Sequence, residues 1–112
     1  SPFDWIICFK DDVIFCDTKT TKDNNYPLLE NKIANQLHQF GLLARHNKAC
    51  GFLIEFREAG EFRWFNLTLI KETLKTRKSL VRQSGILIGH TFPTEINLDL
   101  VALIVFISLL IL

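Results

Sequence analysis

The chain has almost no excess of charge of either sign. Thirteen Lys and Arg stand against twelve Asp and Glu, for a net charge of +1. No global field therefore points to nucleic acid, and any such signal must be local. Cysteine is scarce and odd in number: Cys8, Cys16 and Cys50, with no C-x-x-C pair. That argues against a zinc site and reads as buried, reduced thiols of a cytoplasmic protein. His38, His46 and His90 have no metal-ligand spacing, and surface or capping roles are expected of them. There is no internal repeat and no low-complexity stretch, and no signal peptide is visible. The chain opens on Ser1 rather than Met, almost directly in a strand pattern, so a piece upstream is expected.

What is present is enough apolar residue, 48% of 112, to build one small domain. A chain this short buries a modest core, and a partner subunit would help it. From Leu100 to Leu112 every residue but Ser108 is apolar. As a helix that run is roughly 20 Å long, short of the roughly 20 residues a bilayer span needs. A buried strand or helix is expected there, with a tail anchor as the rival and a membrane partner disfavoured. The division expected is residues 1–90 as the working domain and 91–112 as an apolar C-terminal segment.

Residues Phe3–Phe9 and Val13–Lys19 read as the strands of a hairpin, with Lys10, Asp11 and Asp12 at its turn. Thr20–Pro27 is polar and reads as a loop. The stripe Ile33, Leu37 and Phe40 predicts a helix over Leu29–Phe40, stopped by Gly41. Ala49–Phe56 and Phe62–Phe65 are strands around a turn at Ala59-Gly60. Leu67–Lys78 is a second helix, and Ile86–Ile88 a short last strand. The order β-β-α-β-β-α predicts a mixed α/β domain, with helices packed on a twisted sheet of at least four strands.

The second strand carries the chemical signal. Alternation places Val13, Phe15, Asp17 and Lys19 on one side, and Ile14, Cys16 and Thr18 on the other. An acid and a base thus sit together at a strand end. With a turn at Asp11, position 4 faces roughly position 18, so the hairpin brings Asp4 beside them. Two carboxylates suit a hard divalent cation. Such a cation polarises a phosphate and acidifies a water, and an adjacent lysine can orient that water or stabilise charge on phosphorus. The Thr18 backbone carbonyl is a candidate further ligand.

Pro2-x-Asp4 followed by Asp17-x-Lys19 resembles the PD-(D/E)xK nuclease signature. The hairpin ending D-T-K-T-T, the Tyr26-Pro27 pair and the helix carrying Asn35-Gln36-Leu37 resemble the RecU-type Holliday-junction resolvases of bacteria and phages. The resemblance runs from about Pro2 to Leu69. It implies a restriction-endonuclease-like mixed sheet flanked by helices, and Mg²⁺ (or Mn²⁺) held by Asp4, Asp17 and Thr18. It implies Lys19 as the catalytic lysine, with Gln36 near it. The implied partner is branched DNA, bound by a homodimer in the cytoplasm of a bacterium or phage-infected host. The family usually has Glu where this chain has Asp17. It also takes an acidic ligand from a helix before the first strand, expected to lie upstream of Ser1.

For DNA contacts, Thr20, Thr21 and Lys22 open a polar loop next to the site, with Asn24 and Asn25 behind them. Lys71, Lys75, Arg77, Lys78 and Arg82 face only Glu72 as a counter-charge. Of these, Lys75 and Lys78 are the candidates to track a backbone. Two rivals stand beside the junction resolvase. One is another PD-(D/E)xK nuclease of restriction or repair type. The other is a degenerate nuclease fold that only binds DNA or a protein.

Overall fold

A computed structural model describes residues 5–9, 12–46, 49–91 and 94–96. Asp4, the turn residues Lys10 and Asp11, and the apolar run Leu100–Leu112 lie outside the described residues. The elements are β1 (Trp5–Phe9), β2 (Asp12–Thr21), β3 (Asn25–Pro27), α1 (Glu30–Ala44), β4 (Ala49–Phe56), β5 (Glu61–Asn66), α2 (Leu67–Thr76), β6 (Ser79–Val81), β7 (Ile86–Thr91) and β8 (Thr94–Ile96). A single 3₁₀ turn, Arg82–Ser84, joins β6 to β7.

Six strands form one sheet in the order β1-β2-β4-β5-β7-β8, and β3 pairs with β6 in a separate ribbon. The β2–β4 pair is parallel and the other pairs in the sheet are antiparallel. Parallel neighbours need a long crossover, and α1 lies within it. The fold is thus a mixed α/β domain with two helices flanking a mixed sheet, at this coarse level consistent with the restriction-endonuclease-like architecture.

Strand β4 lies at the centre. Its sequence, Ala49-Cys50-Gly51-Phe52-Leu53-Ile54-Glu55-Phe56, is nearly all apolar because both faces are covered. Cys50, Phe52, Ile54 and Phe56 face the helices, and Phe52, Ile54 and Phe56 have no accessible surface. They pack with Phe65 of β5, Ile33 and Phe40 of α1, Ile70 of α2 and Leu80 of β6. The Phe40 and Phe52 ring centroids are 5.8 Å apart. A second, smaller cluster on the opposite face gathers Ile14, Cys16, Ala49, Trp64 and Ile88. Helix α2 starts where the Asn66 side chain accepts a 2.8 Å hydrogen bond from the Leu69 N–H, a polar cap of the usual kind.

Several local expectations are corrected. Helix α1 does not stop at Gly41 but runs through it to Ala44. Ala44 packs on the same core as Phe40, and that burial outweighs the roughly 1 kcal/mol a mid-helix glycine costs. Thr20–Pro27 is not all loop. Thr20 and Thr21 continue β2 by pairing with Glu55 and Phe56, and Asn25–Pro27 pairs with Ser79–Val81. Asp12 is not a turn residue; it pairs with Phe9 as the first residue of β2. The hairpin register, Trp5 opposite Cys16, is one residue off the alignment expected from a turn at Asp11. The last expected strand, Ile86–Ile88, extends to Thr91.

Candidate active site

Strand β2 presents Asp17 and Lys19 on the face covered by the helices. In the parallel ladder Asp17 lies across from Phe52, and Lys19 from Ile54. Asp17 is the one polar or charged residue among the buried side chains described, at 5% exposure. Lys19 Nζ stands 2.5 Å from Asp17 Oδ2. Among the described residues this ammonium is the one polar partner of Oδ2. Burial strips this carboxylate of hydration, and the ammonium offsets that cost.

Two further groups fix the ammonium. Lys19 Nζ donates to Gln36 Oε1 at 3.3 Å, which ties β2 to α1. It also lies 5.3 Å from the centroid of the Phe52 ring, within reach of a cation–π interaction. Tyr26 of β3 meets Phe52 edge-on, with centroids 6.5 Å apart. The lysine therefore sits in a half-dry niche, its side chain 21% exposed, with an acid on one side, an amide on another and an aromatic wall.

The structure thus brings together Asp17, Lys19 and Gln36 from the expected site. Asp4 lies outside the described residues. Thr18, expected to offer its backbone carbonyl, pairs with Leu53 in the β2–β4 ladder, and its side chain is exposed on the opposite face. Thr20 is on that opposite face too, where its hydroxyl donates to Glu55 Oε1 at 3.4 Å. Thr21 shares the face of Lys19, and its hydroxyl donates to the Asn25 carbonyl at 3.0 Å, pinning the start of β3. Lys22 is exposed in the bend that follows β2. Lys75 pairs with Glu72 at 3.3 Å on the surface of α2. Lys78 is exposed just beyond that helix, in the left-handed region with φ of 62°.

Arg82 does not belong with the basic residues of α2. Its Nη1 pairs with Glu61 Oε1 at 2.5 Å, and its Nε donates to Asn24 Oδ1 at 3.0 Å. Arg63 joins the same carboxylate oxygen through Nε at 3.1 Å, and its Nη1 donates to the Gly85 carbonyl at 3.0 Å. Burial works to raise the Glu61 carboxyl, but the hydrogen bonds and charges of Arg63 and Arg82 outweigh it and hold the group below the usual glutamate range. Sequence reasoning missed this cluster, although its signal was there. Glu61-x-Arg63 repeats on β5 the acid-x-base alternation of Asp17-x-Lys19 on β2. Phe52 was missed as well, because nothing local marks a core phenylalanine as the wall of a site.

The donor set suits an oxygen-seeking divalent cation in one respect. Asp17 supplies a buried carboxylate, and Mg²⁺ binds carboxylate oxygens. Among the described residues no three Asp, Glu, His or Cys side chains come together, so Asp17 contributes singly there. Among the described residues, too, no helix is long and apolar enough to cross a membrane. No protein-family model matches the chain, and no curated protein matches it.

Proposed function

We propose that this domain is a Mg²⁺-dependent phosphodiesterase acting on DNA, with Asp17 and Lys19 at its centre. The observation that carries the reading is the pairing of the buried Asp17 carboxylate with the Lys19 ammonium on one strand face. A surface ion pair has no need of a burial that costs both partners hydration. Asp17, with Asp4 four residues into the sequence, would hold the cation. Bound there, Mg²⁺ would supply Lewis-acid polarisation of a phosphodiester and a more acidic water.

The chain's own groups do the rest. Asp17 and Gln36 aim the Lys19 ammonium, one by charge and the other by accepting from Nζ. Phe52 keeps water from one side of it. An ammonium so held can stabilise negative charge developing on phosphoryl oxygens, without reorganising as the reaction proceeds. The resemblance of the D-T-K-T-T hairpin to junction resolvases makes branched DNA the first substrate to test, and a two-fold symmetric junction suits a homodimer.

The experiment incubates labelled four-way junction and linear duplex with the protein, in Mg²⁺ or EDTA, beside Asp17→Asn and Lys19→Ala. Expected is Mg²⁺-dependent cutting of the junction, lost at least 100-fold in either variant. Equal cutting of both DNAs leaves a nuclease without junction selectivity. Binding without cutting points to a degenerate nuclease fold, and neither binding nor cutting sinks the reading.

A further inference from the structure

Arg63 and Arg82 each have five N–H donors, and neither spends them well on Glu61. A carboxylate and a guanidinium pair best as two forks, with two parallel hydrogen bonds. Here Arg63 gives only Nε and Arg82 only Nη1, both to the same oxygen, Oε1. Each arginine's second bond goes to a neutral oxygen, Gly85 O or Asn24 Oδ1. The Nη2 edge of both guanidiniums is uncommitted among the described residues. Two cations sharing one anion leave a net positive charge, at side chains only 16% and 20% exposed. A half-buried, undercompensated charge of this kind is unfavourable, and a tetrahedral oxoanion presented to the two free edges would relieve it. Glu61 is the sole acid paired with either arginine among the described residues.

The site lies on the face that carries Lys19. One register row runs from Lys19 to Ile54 and from Ile54 to Arg63. Two strand spacings put the Lys19 and Arg63 backbones about 10 Å apart, a separation within the reach of nearby phosphates of one DNA strand. We infer that Arg63 and Arg82 form a phosphate-binding site, occupied by a backbone phosphate of the nucleic acid a few nucleotides from the one at Lys19. The source of the phosphate rests on the nuclease reading; the oxoanion chemistry does not.

The test measures binding of a labelled four-way junction by anisotropy in EDTA, across a range of salt, so that cutting plays no part. Arg63→Gln and Arg82→Gln are each expected to weaken binding and to lower the slope of log K on log salt by about 1. Glu61→Gln removes the competing anion and is expected to tighten binding several-fold. A merely structural ion pair would give no such gain. Circular dichroism checks that each variant folds, and any one folded variant suffices. Unchanged affinity and slope in a folded arginine variant, or no gain in folded Glu61→Gln, overturns the inference. A second arm compares the unfolding midpoint in inorganic phosphate and in chloride at matched ionic strength. A phosphate increment that needs Arg82, with DNA binding unaffected by the variants, assigns the site to free phosphate and overturns the backbone assignment. Arginine-dependent binding by a protein that cuts nothing in Mg²⁺ leaves this site standing while the nuclease reading falls. Cutting with no arginine dependence does the reverse.

Discussion

Phe52 lies directly across the β2–β4 ladder from Asp17, so a ring with no accessible surface and a buried carboxylate share one face. The Lys19 ammonium is held between them, 2.5 Å from Asp17 Oδ2 and 5.3 Å from the ring centroid. The acid is thus placed where the core ends, and the lysine is what makes its burial tolerable. This coupling of the ion pair to the packing of β4 has consequences for stability.

Replacing Asp17 by Ala is predicted to destabilise the fold by about 2–3 kcal/mol, because it leaves the Lys19 ammonium half-buried without its counter-charge. The double variant Asp17→Ala, Lys19→Leu is expected to recover much of that loss, since an apolar chain then fills the niche. Urea denaturation of the four proteins of the cycle measures it. Strict additivity of the two single changes would show that the pair is not energetically coupled.

Gly41 and Gly51 make opposite predictions. A Cβ on Gly41 meets nothing within 4 Å, so Gly41→Ala should stabilise α1 by about 1 kcal/mol and raise the unfolding midpoint by about 5 °C. A Cβ on Gly51 would stand 2.2 Å from the Phe65 carbonyl oxygen. Neither strand can retreat from that contact without breaking the β4–β5 ladder. Gly51→Ala should cost about 3 kcal/mol, the upper end for overpacking. Calorimetry of both variants tests the pair, and a harmless Gly51→Ala would refute the close approach.

Acid should loosen the Glu61 cluster. Its carboxyl titrates below the ordinary range in the folded protein, because the hydrogen bonds and charges of Arg63 and Arg82 outweigh the raising effect of burial. A depressed folded value contributes stability above the unfolded value of about 4.3, and that contribution is lost as pH falls through the folded value. Glu61→Gln should therefore flatten the loss of stability between about pH 4.5 and the acid limit, while lowering stability at neutral pH. Midpoints measured from pH 7 down to pH 3 for both proteins check the sign.

The three thiols should react unequally. Cys8 is exposed, whereas Cys16 and Cys50 are buried. Burial pushes the Cys50 thiol up to about 12, with Lys71 pulling weakly the other way. Its Sγ also donates to the Phe40 carbonyl at 3.4 Å. A disulfide reagent at neutral pH should label one thiol per native chain quickly and the other two only on unfolding, because the thiolate is the reactive form. Rapid labelling of Cys50 in the native protein would show that the α1–β4 contact opens.

Short-range pattern determined a good part of this protein. The bounds of β4 follow from a continuous apolar run; the stripe of Ile33, Leu37 and Phe40 and the shared face of Asp17 and Lys19 follow from side-chain periods of 3.6 and 2, and the structure has them as the residues imply. The resemblance around D-T-K-T-T also pointed to Gln36, and its amide does meet Lys19. Tertiary structure alone decided the remainder. Helix α1 passes Gly41 because the core holds its last turn. Asn25–Pro27 is a strand because Ser79–Val81 is there to pair with it. Arg82 leaves the basic run of α2 because Glu61, 21 residues away, and Asn24, 58 residues away, hold it. Contacts between residues so far apart leave no period in the sequence. They form only when the chain closes those loops, and the free energy that closes them comes from burying the apolar side chains of β4 rather than from any local preference.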